Sequence, residues 1–149
     1  MTQVDVKKFS ELSTQELFMI YKLRVAVFVV EQKCYYREVD DDDLISVHVM
    51  FKGEDGHLMA YARIIPEPSN HAVRIGRVVV NPADRGNGLG RKLVQTTMEK
   101  AQQRFPKAGK IVLAGQEYLK DFYHSFGFVD VSAVYLEDNI PHIDMELTL

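Results

Sequence analysis

Residues 72–105 place a β-branched run, a turn with three glycines in five residues and a long amphipathic pattern directly after one another. The rest of the chain must be arranged around this succession. Residues 74–80 (RIGRVVV) read as a buried strand that ends at Asn81-Pro82. After Arg85-Gly86-Asn87-Gly88-Leu89-Gly90, the apolar residues Leu89, Leu93, Val94, Met98, Ala101 and Phe105 recur at threes and fours. That spacing predicts a helix with one buried face. Glycines at a helix start let the backbone approach a ligand without Cβ obstruction. The first-turn N–H groups lack intrahelical acceptors and sit at the positive end of the helix dipole, which favours an anion such as phosphate.

A glycine-rich turn between strand and helix can also be purely structural. Two familiar phosphate-binding patterns fail on spacing. The dinucleotide fingerprint needs a glycine where Arg91 stands, and a Walker A loop needs Gly-Lys-Ser/Thr, which is absent.

A chain of 149 residues suits one domain with a sizeable core, taken here as residues 1–149. Its net charge of −3 speaks against a nucleic-acid binder, whose affinity would come from neutralising phosphates. No apolar run approaches membrane-spanning length, and the polar N-terminus does not read as a signal peptide. Cys34 is the single cysteine, so no intrachain disulfide forms and a cytoplasmic location is expected.

Residues 4–9 predict a first strand. Ser13 with Glu16 predicts a capping box, and Leu17, Ile20, Tyr21, Arg24, Val25 and Phe28 continue it as a helix to about Val30. The carboxylate run at residues 40–43 reads as a solvated loop, with an acidic lip for a cationic amine as the functional alternative. Residues 46–52 and 57–65 predict a hairpin, and residues 66–70 turn the chain into the strand at Ala72. Residues 110–114 form a strand parallel to the one before the helix, since a helical crossover separates them. A short helix over 117–126 stops at Gly127 as a left-handed cap. Residues 129–136 and 142–147 close the chain as a hairpin. The expected architecture is α/β (α+β): a central mixed, twisted sheet of about seven strands with flanking helices.

Arg85, Gly88 and Gly90 match the Arg/Gln-x-x-Gly-x-Gly/Ala signature of the GNAT superfamily of N-acetyltransferases, with Val80-x-Pro82 before it. A second landmark, Tyr123-His124-Ser125-Phe126-Gly127-Phe128, resembles the family's Tyr before Gly-Phe. Gln116 stands seven residues before Tyr123, where the family commonly has Asn. Arg24 to Gln32, Tyr61-Ala62-Arg63, Ile75 to Val80 and Glu137-Asp138-x-Ile140-Pro141-His142-Ile143 resemble the ElaA-like branch. The resemblance spans nearly the whole chain. It implies the acyl-CoA N-acyltransferase (GNAT) fold, with helices on both faces and two splayed parallel strands between which the pantetheine arm of acetyl-CoA lies.

By the same resemblance the backbone of Val78, Val79 and Val80 holds the pantetheine. The turn residues Arg85, Gly86, Asn87, Gly88, Leu89, Gly90 and Arg91 hold the pyrophosphate, and Gln116 offers an amide to the cofactor. The implied activity is transfer of an acetyl group by direct attack of an amine, of a small molecule or an amino terminus, on the thioester. A non-catalytic acyl-CoA-binding or sensing module is the alternative, and an acyltransferase with a longer acyl donor a third. Tyr123 matches the residue that protonates the departing thiolate, its alternative being packing. The amine must lose a proton, having a pKa of roughly 10. Candidate bases are His142, His48, Glu31, Glu117 and Asp144, with His142 preferred because imidazole titrates in the useful range. Cys34 reads as packing or loop. No metal ligand set is assigned, and the expected assembly is a monomer or homodimer.

Hairpin register brings Arg63 opposite or diagonal to Arg77. Two adjacent guanidiniums need a negative partner. Either an internal acid (Glu31, or one of residues 40–43) folds over them, or they clamp a carboxylate of the acceptor.

Overall fold

The computed structural model describes residues 2–69 and 71–149, so Asn70, at the end of the predicted 66–70 turn, lies outside the described residues. In chain order the elements are β1 (Gln3–Lys8), α1 (Thr14–Arg24), a π-helical segment (Val25–Glu31), α2 (Asp42–Ile45), β2 (Val47–Lys52), β3 (Leu58–Pro66) and β4 (Ala72–Val80). They continue with α3 (Leu89–Arg104), β5 (Lys110–Gln116), α4 (Lys120–His124), β6 (Val129–Asp130), β7 (Tyr135–Glu137) and β8 (Ile140–Thr148). All eight strands belong to one sheet, ordered β1-β2-β3-β4-β5-β8-β6, with β7 also paired to β8. The eighth strand arises because the stretch read as one strand over 129–136 divides into β6 and β7. Asp138 and Asn139 take positive φ between β7 and β8, which suits the primed turns of two-residue hairpins.

Helices cover both faces. Leu93, Val94 and Ala101 of α3 pack with Val49, Ala62, Ile75 and Ile111 on one side. Ile20 and Leu23 of α1 pack with Met50, Tyr61 and Val79 on the other. The capping box is formed: the Glu16 amide donates to Ser13 Oγ at 3.0 Å and the Ser13 amide donates to Glu16 Oε1 at 2.9 Å. The predicted helix to Val30 instead widens at Val25 into the π segment, which keeps Val27 in the core and carries Glu31 to the glycine turn.

One pairing decides the shape of the sheet. β4 runs antiparallel to β3 along its whole length, but pairs in parallel with β5 only from Ala72↔Lys110 to Arg74↔Val112. Its register with β3 slips between Arg63↔Gly76 and Tyr61↔Val79, so Arg77 and Val78 together face Ala62. This is a β-bulge, and Arg77 takes φ 52° within it. Bulges bend the strand that carries them, and this one lies in the stretch of β4, past Arg74, that no longer pairs with β5.

Glu16 also ties the first elements together. It accepts from Lys52 Nζ at 2.7 Å and from Lys7 Nζ at 3.0 Å. Its burial alone would raise its pKa, but the Lys52, Ser13 and Lys7 donors outweigh that and hold it at about 2, from an ordinary 4.5. A depressed carboxylate stabilises the fold above its unfolded pKa and ceases to do so as pH falls through the folded one. Glu16 is therefore expected to contribute on the order of 3 kcal/mol above about pH 4.5, lost as pH drops towards 2. Denaturant titrations of the parent and Glu16→Gln check this: the gap between them should close across that window.

Candidate active site

Where β4 and β5 part, a cleft of about 950 Å³ opens between residues 76–80 and 113–116. At one end lies the glycine turn. Gly86 and Gly88 hold φ of 92° and 72°, conformations that side-chain-bearing residues rarely adopt. A Cβ built on either meets nothing within 4 Å, and one on Gly90 meets only Val80 Cγ2 at 3.8 Å. Gly88 caps α3 without a side-chain acceptor, so the first-turn amides of that helix are free for a ligand. An empty cradle of this kind fits a pyrophosphate, so the residues present suit coenzyme A. Gly86, Gly88, Leu89, Gly90 and Arg85 line the cleft, as do Val78, Val79, Val80 and Gln116.

Asn87 and Arg91 are not among the lining residues. Arg91 instead lies over the Phe126 ring at 4.6 Å and donates to Ser125 Oγ at 2.8 Å, which holds α3 against the end of α4. Gln116 donates to Gln32 Oε1 at 3.3 Å, fastening the splayed end of β5 to the loop opposite. Arg85 donates through Nε to the Val80 carbonyl at 3.3 Å and through Nη2 to Glu31 at 2.8 Å. The pair bridges the cleft mouth, and it holds the Glu31 carboxyl below its usual pKa.

Tyr123 stands on α4 with its ring against β5. A Cβ on Gly115 would come within 3.2 Å of that ring, so the missing side chain makes its seat. Tyr123 is 6% exposed and lines the cleft, and among the described residues its hydroxyl has no hydrogen-bond partner. Burial pushes its pKa up to about 12, so the hydroxyl stays protonated. His142, on β8, lines the same cleft. Its Nδ1 lies 2.7 Å from the Ile140 carbonyl, a pure acceptor, so Nδ1 carries a proton and, in the neutral tautomer, Nε2 is the nitrogen with the lone pair. Nε2 is 3.6 Å from Glu137 Oε2, and the ring stacks on Tyr135.

Three other candidate bases, His48, Asp144 and Glu117, do not line the cleft. His48 is buried between the Tyr61 hydroxyl and the Asp43 carbonyl, and burial keeps it neutral. Asp144 accepts from the Tyr135 hydroxyl, and neither it nor Glu117 lines the cleft. Cys34 lines it with its thiol against the Asp138 carbonyl at 3.7 Å, and burial raises its pKa.

Arg63 and Arg77 meet in an ion network. Asp40 accepts from Arg63 Nη1 at 2.7 Å and from Arg77 Nη2 at 3.4 Å. Asp43 accepts from Arg63 and Arg24, and Glu38 from Arg24 and Arg77. Three guanidiniums meet three carboxylates. The charge argument for an external carboxylate clamp therefore falls away, since internal acids already offset both arginines. The solvated-loop reading of residues 40–43 is corrected for Asp43, which is 1% exposed and drawn inward by Arg24 and Arg63. Glu38, Tyr36 and Gly115 escaped the sequence reading. An arginine on the apolar face of a helix, as Arg24 is, was the available signal, because a buried guanidinium requires acids around it.

Residues 10–149 match the family described as an acetyltransferase (GNAT) domain. A UPF0039 protein of Schizosaccharomyces pombe is 51% identical over 143 residues, covering 96% of this chain and 95% of that one. Protein ElaA of Escherichia coli is 44% identical over 138 residues, 91% of this chain and 90% of its own. Its crystal structure superimposes with a TM-score of 0.91 over 98% of this chain and 99% of that one. So does that of an acyl-CoA N-acyltransferase from Pseudomonas aeruginosa, at 42% identity with the same coverage.

Gly90→Val tests the cradle with little backbone strain, because Gly90 lacks the positive φ of its neighbours. The branched side chain should bar one charge-assisted contact to phosphate, about 1.5 kcal/mol, and weaken coenzyme A at least about tenfold by calorimetry. The melting temperature should stay near the parent's.

Proposed function

The chain belongs to the GNAT acetyltransferase family, and from that premise we propose that it transfers an acetyl group from acetyl-CoA to the nitrogen of a small-molecule amine or an amino terminus. One observation carries the reading: the β4–β5 cleft has the glycine cradle at one end and an unpartnered, protonated Tyr123 hydroxyl along its wall. Residues 86–90 bind the pyrophosphate, and the β4 backbone at residues 78–80 pairs with the extended arm. Arg85 and Glu31 border the entrance, and Gln116 offers its amide from β5.

The chemistry asks three things of the protein. His142 Nε2 takes the proton that the attacking amine must lose, directly or through water. Backbone amides near Val80 donate to the oxygen that becomes negative as the C–N bond forms. The Tyr123 hydroxyl donates to the sulfur as the C–S bond breaks, so one proton leaves the nitrogen and one reaches the sulfur. Arg63 and Arg77 border the acceptor end as a neutralised wall and act on the acceptor by shape and hydrogen bonding rather than by net charge.

The proposed setting is the cytoplasm, for a monomer or homodimer. A module that binds acyl-CoA without turnover differs in releasing no thiol. Among the described residues no helix is long and apolar enough to cross a membrane.

Thiol release from acetyl-CoA across an amine panel, with longer acyl donors alongside, tests the activity. Tyr123→Phe and His142→Gln should each lower kcat at least about tenfold while coenzyme A affinity barely changes. Turnover of Tyr123→Phe at the parent rate would make Tyr123 a packing residue and leave the proton to water.

A further inference from the structure

Glu38 is 4% exposed and accepts from three side chains on three segments. Arg24 of α1 donates through Nε to Oε2 at 2.7 Å and through Nη2 to the Glu38 carbonyl at 2.8 Å. Arg77 of β4 does the same from the other side, with Nε to Oε2 at 2.7 Å and Nη2 to the carbonyl at 3.1 Å. The Tyr36 hydroxyl donates to Oε1, and the Tyr36 ring lies under the Arg77 guanidinium at 5.4 Å. Each guanidinium thus grips both the carboxylate and the backbone of one residue, a fork geometry that lysine cannot reproduce.

Arg77 is also the residue on which the cleft turns. It holds φ 52° in the bulge, and a β-carbon-bearing residue keeps that conformation only where its surroundings impose it. Its side chain is anchored at Glu38 and Asp40. The bulge in turn aims residues 78–80 into the cleft. The segment that bears Glu38 also lines the cleft, through Cys34, Tyr36, Arg37 and Asp40, at the end where His142 stands.

We propose that Glu38 is a positioning residue for acyl transfer: through Arg77 it fixes the β4 backbone at residues 78–80 relative to the loop that borders the acceptor. The inference rests on the acyltransfer reading for its kinetic consequence, but its structural half stands without it. Glu38 touches neither reactant. It acts by keeping the bulge in one conformation, so that the amides facing the thioester oxygen and the wall facing the amine share one frame. The network Arg24, Arg63, Arg77 with Glu38, Asp40 and Asp43 is charge-balanced, and removing the Glu38 charge alone leaves three guanidiniums to share two acids.

Glu38→Gln risks the fold, because it leaves a buried positive charge in excess. Arg77→Asn is the milder variant: asparagine tolerates φ 52°, and the charge it removes sits on a partly exposed side chain, whereas Glu38 is buried. Amide hydrogen exchange at residues 78–80 should accelerate at least about tenfold in Arg77→Asn, beyond any change at core amides of α3, with the chain still folded. In kinetics kcat should fall about tenfold to a hundredfold, since small misplacements of reacting groups carry penalties of that size, while KM for acetyl-CoA stays within about twofold. Unchanged exchange at residues 78–80 overturns the tether whether or not an amine substrate is in hand, and so is distinct from failure of the acyltransfer reading. Faster exchange with kcat at the parent value, or global unfolding of Arg77→Asn, overturns the positioning role.

Discussion

The structure depends on one unfinished pairing. β4 and β5 begin as neighbours in a sheet and cease to be so after Arg74 and Val112. Backbone groups on facing strands ordinarily satisfy one another, and those that do not must find water or a ligand. The bulge at Arg77 lies just past the last β4–β5 pair, and β4 keeps its partner on the other side, where pairing with β3 resumes at Tyr61↔Val79. The consequence is an open slot inside an otherwise continuous sheet. Everything assigned to chemistry faces that slot: the glycine turn follows the end of β4, Tyr123 leans on β5, and His142 comes from β8, which lies beside β5.

The ion network beside the slot has a different physical character from the core. Burying Arg24, Arg63, Glu38 and Asp43 costs desolvation that their mutual attraction only partly offsets, so such a network adds little net stability over an apolar core. What it adds is direction. Apolar side chains tolerate small slips, whereas a guanidinium bonded to two oxygens of one residue does not. Placing that rigidity at the bulge, and ordinary packing of α3 on the far face, puts geometric definition where the two strands separate.

The sequence announced the elements whose signals are local. Residues 89–101 repeat at threes and fours and become α3, Ser13 with Glu16 becomes a formed capping box, and Gly127 ends the helical stretch with φ 99°. Register was legible to within a residue, since Arg63 pairs with Gly76, beside the Arg77 expected opposite or diagonal to it. Less legible were features that depend on partners far along the chain. The positive φ of Arg77 has no local signal, because neither glycine nor asparagine marks it. Asp43 looked like its neighbours Asp41 and Asp42, and only Arg24 and Arg63, 19 and 20 residues away, draw it inward. The π segment likewise carries the residues of an ordinary helix, and the Glu31 pairing across the mouth belongs to its tertiary setting.

The central claim is that the slot between β4 and β5 is the seat of the acyl carrier. A crystal structure with coenzyme A tests it most directly. The account predicts the pyrophosphate on the amides of residues 86–90 and the extended arm between β4 and β5, hydrogen-bonded to the backbone of residues 78–80. The thiol should lie beside the Tyr123 hydroxyl. Coenzyme A bound elsewhere, or β4 and β5 zipped together beyond Arg74 with the slot closed, would contradict it.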